Sequence, residues 1–233
     1  MKKEFLLGLK NGIAIALGYF AVSFSFGILA VSNGLSVFEA VLISMTNVTS
    51  AGQFAGLTII SNGGSLIEMS VSQLVINMRY ALMSLSLSQK LHSSVGIGKR
   101  LIMSFTNTDE IFAVVSGRNV PVTFSYMFGV SIVSWLGWSG GTLFGAVAGE
   151  VLPKVLCDAL GIALYAMLIS IVMPVFREKK SVKCAVMLAA LLSIAFAYIP
   201  LLKGVSAGFA IVISTICASV ICALFFPVEE GKQ

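Results

Sequence analysis

The sequence predicts an all-α, polytopic membrane protein, and three observations lead to this prediction. First, 58% of the 233 residues are hydrophobic and 11% are charged, whereas soluble domains are about 25% charged. Second, apolar segments of membrane-spanning length follow one another along the chain. Third, two further apolar segments are each interrupted by a similar polar phrase. These features leave no room for a soluble catalytic domain.

Six segments contain the roughly 17–25 apolar residues that a transmembrane helix needs. The beginning of the chain is similar to a signal peptide, but its apolar run is too long for one, so a retained first helix is expected. The six predicted spans are Ile13–Val31, Leu66–Ser88, Val122–Val147, Cys157–Phe176, Lys183–Ile199 and Val205–Phe226.

Two more segments, Val37–Ile60 and Leu101–Ser116, are interrupted near their middles. The interruptions read Ser-Met-Thr-Asn-Val-Thr at residues 44–49 and Ser-Phe-Thr-Asn-Thr-Asp-Glu at residues 104–110. Backbone groups freed at membrane depth are tolerated only where they are buried in protein or line a cavity. Paired breaks in the two halves of a transporter mark its binding site. The pattern therefore predicts a single transport domain, 1–233, with half-repeats 1–100 and 101–233. Chance recurrence and ordinary polar loops at the membrane surface are the alternatives.

The basic residues favour interrupted segments that are re-entrant over segments that cross fully. With a cytoplasmic N-terminus, the re-entrant arrangement places 12 basic residues inside and 2 outside, whereas full crossings give 9 and 5. Cytoplasmic loops carry an excess of Lys and Arg, so we predict re-entrant segments of opposite orientation, as in an inverted repeat; eight full spans are the alternative. Because the basic residues lie in short gaps between apolar segments, the net charge of +5 does not indicate nucleic-acid binding. In the re-entrant arrangement Lys154 and Lys203 face outside, and the residues inside are Lys2, Lys3, Lys10, Lys90, Lys99, Arg100, Arg118, Arg177, Lys179, Lys180, Lys183 and Lys232.

The polar residues of the two breaks and of the segment Leu66–Ser88 form the predicted substrate site. A half-helix that begins inside the membrane presents free amide groups and the positive end of its dipole, which suit a carboxylate. Ser50 with Gln53, and Asn107 with Glu110, match capping patterns at two such helix starts, and Ser36 with Glu39 marks the start of the first half-helix. The residues predicted to bind substrate are Thr46, Asn47, Ser50, Gln53, Gln73, Asn77, Arg79, Tyr80, Thr106 and Asn107.

Charged residues within the apolar segments indicate that transport is coupled to the movement of protons. A cation such as Arg79 near the bilayer centre costs at least ~2.5 kcal/mol and needs an anionic partner, which is Asp109, Glu110 or a substrate carboxylate. A purely structural ion pair is an equal alternative. Burial disfavours the charged form of a carboxyl group, so Asp109 and Glu110 are predicted to exchange coupling protons. Helix capping is the competing interpretation, stronger for Glu110 than for Asp109.

Four glycines recur at intervals of four residues: Gly137, Gly141, Gly145 and Gly149. Small residues at this spacing let a second helix approach closely. The packed helix is expected either in this chain or in a second subunit.

Enzyme signatures are weak. Gly137-Trp138-Ser139-Gly140 is similar to the Gly-x-Ser-Gly motif of intramembrane serine proteases, but the only histidine, His92, lies in a basic loop. A serine nucleophile needs a base within reach. The sequence has no phosphate-binding loop and no cluster with metal-ligand spacing. We therefore expect a protein that is not an enzyme, with no catalytic residue, no metal and no cofactor.

Several motifs resemble the AzlC family. They are Leu9–Ile13 with Gly18–Phe20, Thr49–Ala55, Ile76–Ser84 and the acidic Thr106–Glu110. The resemblance implies the large subunit of an AzlC/AzlD branched-chain amino acid exporter in the bacterial plasma membrane. Valine, leucine and isoleucine, with methionine as a further candidate, would leave the cytoplasm with the help of a small AzlD-type membrane subunit. A higher-order oligomer is also compatible with it.

Proton antiport is the expected energy source, because the sequence offers intramembrane carboxyl groups and no ATP site. A passive channel subunit is the alternative function, and saturable transport against a gradient would distinguish the carrier from it. A membrane scaffold without transport activity is a third interpretation, which Arg79 and the paired breaks disfavour.

The charge distribution predicts which loops face the cytoplasm. We expect a cysteine at position 61 to be labelled from outside, and a cysteine at position 118 to be labelled from the cytoplasm. The measurement is accessibility of single cysteines to a membrane-impermeant thiol reagent in a cysteine-free background, in intact cells and in inverted vesicles. Labelling of Ser61→Cys only in inverted vesicles would contradict the re-entrant arrangement of the first interrupted segment.

Overall fold

The computed structural model of the chain describes residues 2–151, 153, 155, 169, 173, 176–202 and 204–226. Its regular elements are helices, which confirms the predicted all-α class. The predicted span Cys157–Phe176 lies almost wholly outside the described residues. The helices are α1 (Lys2–Ser32), α2 (Val37–Thr46), α3 (Ser50–Ser61), α4 (Leu66–Lys90), α5 (Ile97–Ser104), α6 (Asp109–Ser116), α7 (Phe124–Val151), α8 (Lys180–Tyr198) and α9 (Ala207–Phe225), with a 3₁₀ turn at Pro200–Leu202.

Four helices in the described ranges are long and apolar enough to cross a membrane. They are α1, α7, α8 and α9. The 25-residue helix α4, also predicted as a span, is long enough but is not among them. Its serine, glutamine, asparagine and arginine side chains lower its mean hydropathy. The fold is that of a polytopic membrane protein.

The chain divides into two compact units, and each is discontinuous in sequence. The first unit comprises Met1–Phe54 and Asn77–Leu164, and the second comprises Ala55–Ile76 and Tyr165–Gln233. The boundaries pass through α3 and α4. The half-repeats 1–100 and 101–233 stay a prediction.

Helices α1 and α7 form the centre of the first unit and run parallel to each other. Gly8 of α1 lies against the backbone of Tyr126, near the start of α7, and Gly145 of α7 lies against that of Phe24. The predicted glycine stripe thus faces α1 of the same chain. Gly137, Gly141, Gly145 and Gly149 lie against Ala16, Phe20, Phe24 and Ile28 respectively. Without a Cβ at these positions, the two backbones approach closely.

Helix starts in both units are fixed by side-chain caps. At the start of α2, Ser36 Oγ accepts a hydrogen bond from the Glu39 amide, and the Glu39 carboxylate accepts one from the Ser36 amide. The predicted capping box is therefore confirmed. In the second unit, Glu68 is buried and accepts a hydrogen bond of 2.8 Å from the Gly208 amide in the first turn of α9. This contact joins the beginnings of α4 and α9.

The second interrupted segment begins and ends at the same end of the first unit. Lys90 Nζ, just before the segment, donates a hydrogen bond of 2.6 Å to the carbonyl oxygen of Ser116, just after it. Leu91 pairs with Val122 in an isolated bridge. Arg118 forms an ion pair of 2.8 Å with Glu4, so the start of α1 lies at this end too. A segment that crossed the membrane fully would place Lys90 and Ser116 on opposite sides, and these contacts therefore favour the re-entrant arrangement.

The glycine contacts predict a sharp positional dependence of stability. A Cβ added to Gly141 or Gly145 would lie closer than 3.0 Å to backbone atoms of α1, whereas one added to Gly140 would meet open space. We expect Gly141→Ala and Gly145→Ala to destabilise the protein by about 1–3 kcal/mol, the usual cost of overpacking. Gly140→Ala is the matched control and should be neutral or slightly stabilising, because alanine favours helix. Thermal unfolding in detergent measures the difference, and equal melting temperatures for all three variants would contradict the close packing.

Candidate functional site

The two breaks lie where the sequence predicts them. Residues 47–49 separate α2 from α3, and residues 105–108 separate α5 from α6. Val48 and Thr49 are buried, as are Thr106, Asn107 and Thr108. Five of the seven residues in the two breaks are therefore buried, as backbone at membrane depth requires, whereas Asn47 and Phe105 are partly exposed.

Gln53 donates hydrogen bonds to carbonyl groups that the first break leaves without a partner within helix α2. Its Nε2 atom donates to the carbonyl oxygens of Asn47 at 2.6 Å and Ile43 at 3.3 Å. Its Oε1 atom accepts a hydrogen bond of 3.2 Å from Trp138 Nε1. A further tryptophan, Trp135, donates to the Met45 carbonyl oxygen. The last carbonyls of a helix have no partner within it, so Gln53 stabilises the end of α2; the substrate-binding role predicted for it stays a prediction.

The caps of the half-helices differ from the predicted ones by one residue. Thr49, not Ser50, precedes α3, and its Oγ1 accepts from the Gly52 amide at 3.4 Å. Thr108, not Asn107, caps α6 and accepts from the Ile111 amide. Threonine, serine and asparagine are all preferred at the N-cap, with threonine the weakest of the three, and the sequence pattern therefore favoured the neighbouring serine and asparagine. Glu110 is thereby displaced from the capping position and is free to contact another helix.

Arg79 and Asp109 form the ion pair that spans α4 and α6. Arg79 Nη1 lies 2.7 Å from Asp109 Oδ2, and about half of each side chain is exposed. The guanidinium group also lies over the Tyr80 ring, 5.1 Å from its centre. The anionic partner expected for Arg79 is thus Asp109.

A hydroxyl network joins the first break to α4. Thr49 Oγ1 donates to Asn77 Oδ1 at 2.8 Å and accepts from the Tyr80 hydroxyl at 3.2 Å. The cap of α3 is therefore held by two residues of α4. Both Asn77 and Tyr80 are among the residues predicted to bind substrate, and these contacts place them against the first break.

Glu110 lies on the α1 side of α6. The Tyr19 hydroxyl lies 2.6 Å from Glu110 Oε2 and 2.5 Å from Thr108 Oγ1. Tyr19 also packs edge-on against Trp138, with ring centres 5.3 Å apart. Asp109 therefore contacts α4, whereas Glu110 and Thr108 both contact Tyr19 of α1.

The starts of α3 and α6 share one small cavity. Its volume is about 10 Å³, roughly the room that one water molecule needs. Tyr19 stands fifteen residues after Glu4 and thirteen before Ser32 in α1. These separations correspond to about 22 Å and about 20 Å along the helix, so the cavity lies near the middle of α1. It is lined by Tyr19, Val48, Ser50, Tyr80, Thr108, Asp109, Glu110 and Trp138.

The remaining predicted residues lie around this centre or away from it. Thr46 donates to the Leu42 carbonyl oxygen within α2, and Asn47 ends that helix. Thr106 donates to Ser131 of α7 at 2.6 Å. Asn107 donates from Nδ2 to Ser84 of α4 at 3.0 Å. Its buried Oδ1 has no hydrogen-bond partner among the described residues.

Gln73 belongs to the second unit. It lies beside Met69 and Gly56 of that unit. The residues that sequence reasoning missed are Tyr19, Thr49, Thr108 and Trp138. A tyrosine in the middle of an apolar helix and a threonine directly before each half-helix were the available signals.

Comparison with known proteins identifies the family. The AzlC protein family matches residues 14–152, a range that includes both breaks, Tyr19, Arg79 and the acidic pair. The chain belongs to the AzlC family.

Relatives of this AzlC protein are membrane proteins from bacteria and archaea. The inner membrane protein YgaZ of Escherichia coli is 29% identical over 215 residues, which cover 88% of this chain and 87% of YgaZ. An uncharacterized membrane protein of Archaeoglobus fulgidus is 31% identical over 172 residues, 73% of this chain and 75% of that protein. No solved structure shows a significant match. AzlC proteins are a transporter-type family.

The hydrogen bonds of Gln53 are expected to contribute to the stability of the folded protein. Gln53→Leu keeps the approximate volume but leaves the Asn47 carbonyl and the Trp138 ring nitrogen without their partner, and each unsatisfied buried group costs about 1–3 kcal/mol. We expect a lower melting temperature in detergent and a lower folded yield. Gln89→Leu is the control, since Gln89 is exposed in the last turn of α4. Equal stability of Gln53→Leu and the wild type would show that water replaces these bonds.

Proposed function

We propose that this AzlC protein is the large subunit of a secondary transporter that exports branched-chain amino acids from the cytoplasm. Valine, leucine and isoleucine are the main substrates and methionine is a further one. Export is driven by proton antiport across the bacterial plasma membrane, and a small AzlD-type membrane subunit completes the transporter. The N-terminus is cytoplasmic.

The observation that supports this proposal most strongly is the meeting of the two broken helices near the middle of α1. A cation, two carboxyl groups and two half-helix starts converge there around Arg79, Asp109 and Glu110. Broken helices whose ends line a site at mid-depth are a recurring device of secondary transporters. Ionisable residues within membrane segments mark substrate or proton pathways.

The chemistry of the breaks suits a zwitterion. A substrate carboxylate can take the place of Asp109 on Arg79 or bind the first amides of α3. A substrate ammonium group can bind Asp109 when Arg79 releases it, and Asn107 Oδ1 is a buried acceptor for one of its protons. Substrate binding therefore exchanges one ion pair for two without leaving a charge unpaired.

A second cavity has the size and character for the apolar side chain. It has a volume of about 220 Å³ and is lined by Asn107 and Ser84, next to the break, and by apolar residues toward α5. The apolar side chains of its wall favour a branched hydrocarbon chain, because burying it removes apolar surface from water. Ser88, Ser104 and the cation Arg100 also line this cavity. The apolar residues of this wall are Leu87, Leu91, Ile97, Leu101, Met103 and Met127.

The closed centre supports a carrier over a passive channel. A channel needs a continuous aqueous path, whereas the cavity between the half-helices has room for about one water molecule. A carrier opens its central site to one side at a time. Flux that saturates with substrate is therefore expected.

Transport by Arg79 variants tests this function. In proteoliposomes that contain the protein and its small partner, we expect saturable valine and leucine flux that an imposed pH gradient accelerates. Arg79→Gln should lower this flux by about ten-fold or more, equivalent to about 1.4 kcal/mol, because the variant lacks the carboxylate-binding cation and leaves Asp109 unpaired.

Arg118→Gln is the matched control. It also removes an arginine from an ion pair, that with Glu4, but away from the breaks, and it should keep most of the flux. Normal transport by Arg79→Gln would exclude Arg79 from the site. Unsaturable flux in the wild type would instead support the channel.

A further inference from the structure

The two adjacent acidic residues of the second break have opposite electrostatic surroundings. Asp109 lies 2.7 Å from the guanidinium group of Arg79. Glu110 faces the neutral hydroxyl of Tyr19 at 2.6 Å. Protonation of Asp109 would leave the arginine cation without its partner, which is costly away from bulk water. Protonation of Glu110 removes a negative charge that forms no ion pair with any residue that the structure describes.

The partners of Glu110 can bond both of its protonation states without moving. The Tyr19 hydroxyl lies between Glu110 Oε2 and Thr108 Oγ1. When Glu110 is a carboxylate, Tyr19 donates to it and can accept from the Thr108 hydroxyl. When Glu110 is a carboxylic acid, its own proton is donated to the Tyr19 oxygen, and the Tyr19 proton turns to Thr108 Oγ1. Hydroxyl groups rotate to suit such exchanges.

We propose that Glu110, with Tyr19 and Thr108, is the proton-binding site of the transporter, whereas Asp109 stays ionised and binds Arg79 or the substrate ammonium group. This inference rests on the proposed antiport function and assigns its proton to one residue. Glu110 takes up one proton when the cavity opens to the outside, and it releases that proton when the cavity opens to the cytoplasm.

The groups that surround Glu110 are consistent with this assignment. Tyr19 of α1 faces it directly, and Tyr80 of α4 and the neighbouring Asp109 line the same cavity. Arg79 of α4 is bound to Asp109. Ser50 of α3 and Trp138 of α7 add no charge. The cavity of about 10 Å³ has room for roughly one water molecule, which suffices to pass a proton but not an amino acid.

The experiment compares Glu110→Gln with Asp109→Asn by the ratio of valine flux under a pH gradient to valine exchange without one. In Glu110→Gln the ratio should fall to about 1, because the amide imitates a permanently protonated acid, while some exchange persists. In Asp109→Asn both fluxes should fall together, because Arg79 loses its partner. Glu39→Gln, which changes an exposed glutamate at the start of α2, is the control and should keep the wild-type ratio.

Tyr19→Phe supplies an independent measurement. It keeps the ring that packs on Trp138 and removes only the hydroxyl. A hydrogen bond to the carboxylate favours the charged form, so its loss should move the midpoint of the pH profile of driven flux to higher pH. A merely structural role of Tyr19 would lower flux at every pH and leave the midpoint in place.

The outcomes separate this assignment from the proposed function. If the wild type exchanges valine but a pH gradient has no effect, proton antiport is wrong and the assignment is wrong with it. If the wild type responds to the gradient and Glu110→Gln responds equally, antiport stands and Glu110 is not the proton site. An Asp109→Asn variant that exchanges valine but ignores the gradient would place the proton on Asp109 instead.

Discussion

Every carbonyl and amide group that the two helix breaks release must find a hydrogen-bond partner inside the protein, and this requirement organises the first unit. Gln53 and Trp135 bond the carbonyls at the end of α2, and Thr49 and Thr108 cap the helices that follow. Water is absent from a bilayer core, so these bonds decide whether the breaks can exist at all. Part of the polar surface of the site is therefore structural.

The glycine contacts between α1 and α7 provide the rigid base on which both breaks rest. Because the two backbones nearly touch along Gly137, Gly141 and Gly145, the rings of Tyr19 and Trp138 project from fixed positions. Trp138 reaches Gln53 beside the first break, and Tyr19 reaches Glu110 in the second. The close helix pair thus determines the distance between the half-helices.

The sequence predicts the helix breaks and caps of this site better than it predicts which residues contact one another there. Break positions, the capping box at Ser36 and an acidic partner for Arg79 follow from local rules: apolar length, cap spacing and the cost of an unpaired charge. The role of Gln53 does not, because a glutamine that bonds a substrate and one that bonds a carbonyl look the same in sequence. Tyr19 was missed because it lies in an apolar helix, and only tertiary packing brings it to Glu110. The polar residues of α4 were predicted to belong to the site, but the contact of Asn77 and Tyr80 with Thr49 depends on the fold.

The contacts of α4 in the first unit differ in kind from those of α1 and α7. Its residues meet the breaks through an ion pair and hydrogen bonds, those of Arg79, Asn77 and Ser84, and not through close backbone contact. Polar contacts of this kind can be exchanged for contacts with a zwitterion at little net cost, whereas separating the glycine-packed pair would expose two backbones. Successive residues of α6 point about 100° apart. Asp109 therefore faces α4, whose polar contacts can be exchanged, and Glu110 faces α1, which packs closely against α7. Displacing Asp109 from Arg79 would therefore leave Glu110 and Tyr19 in contact.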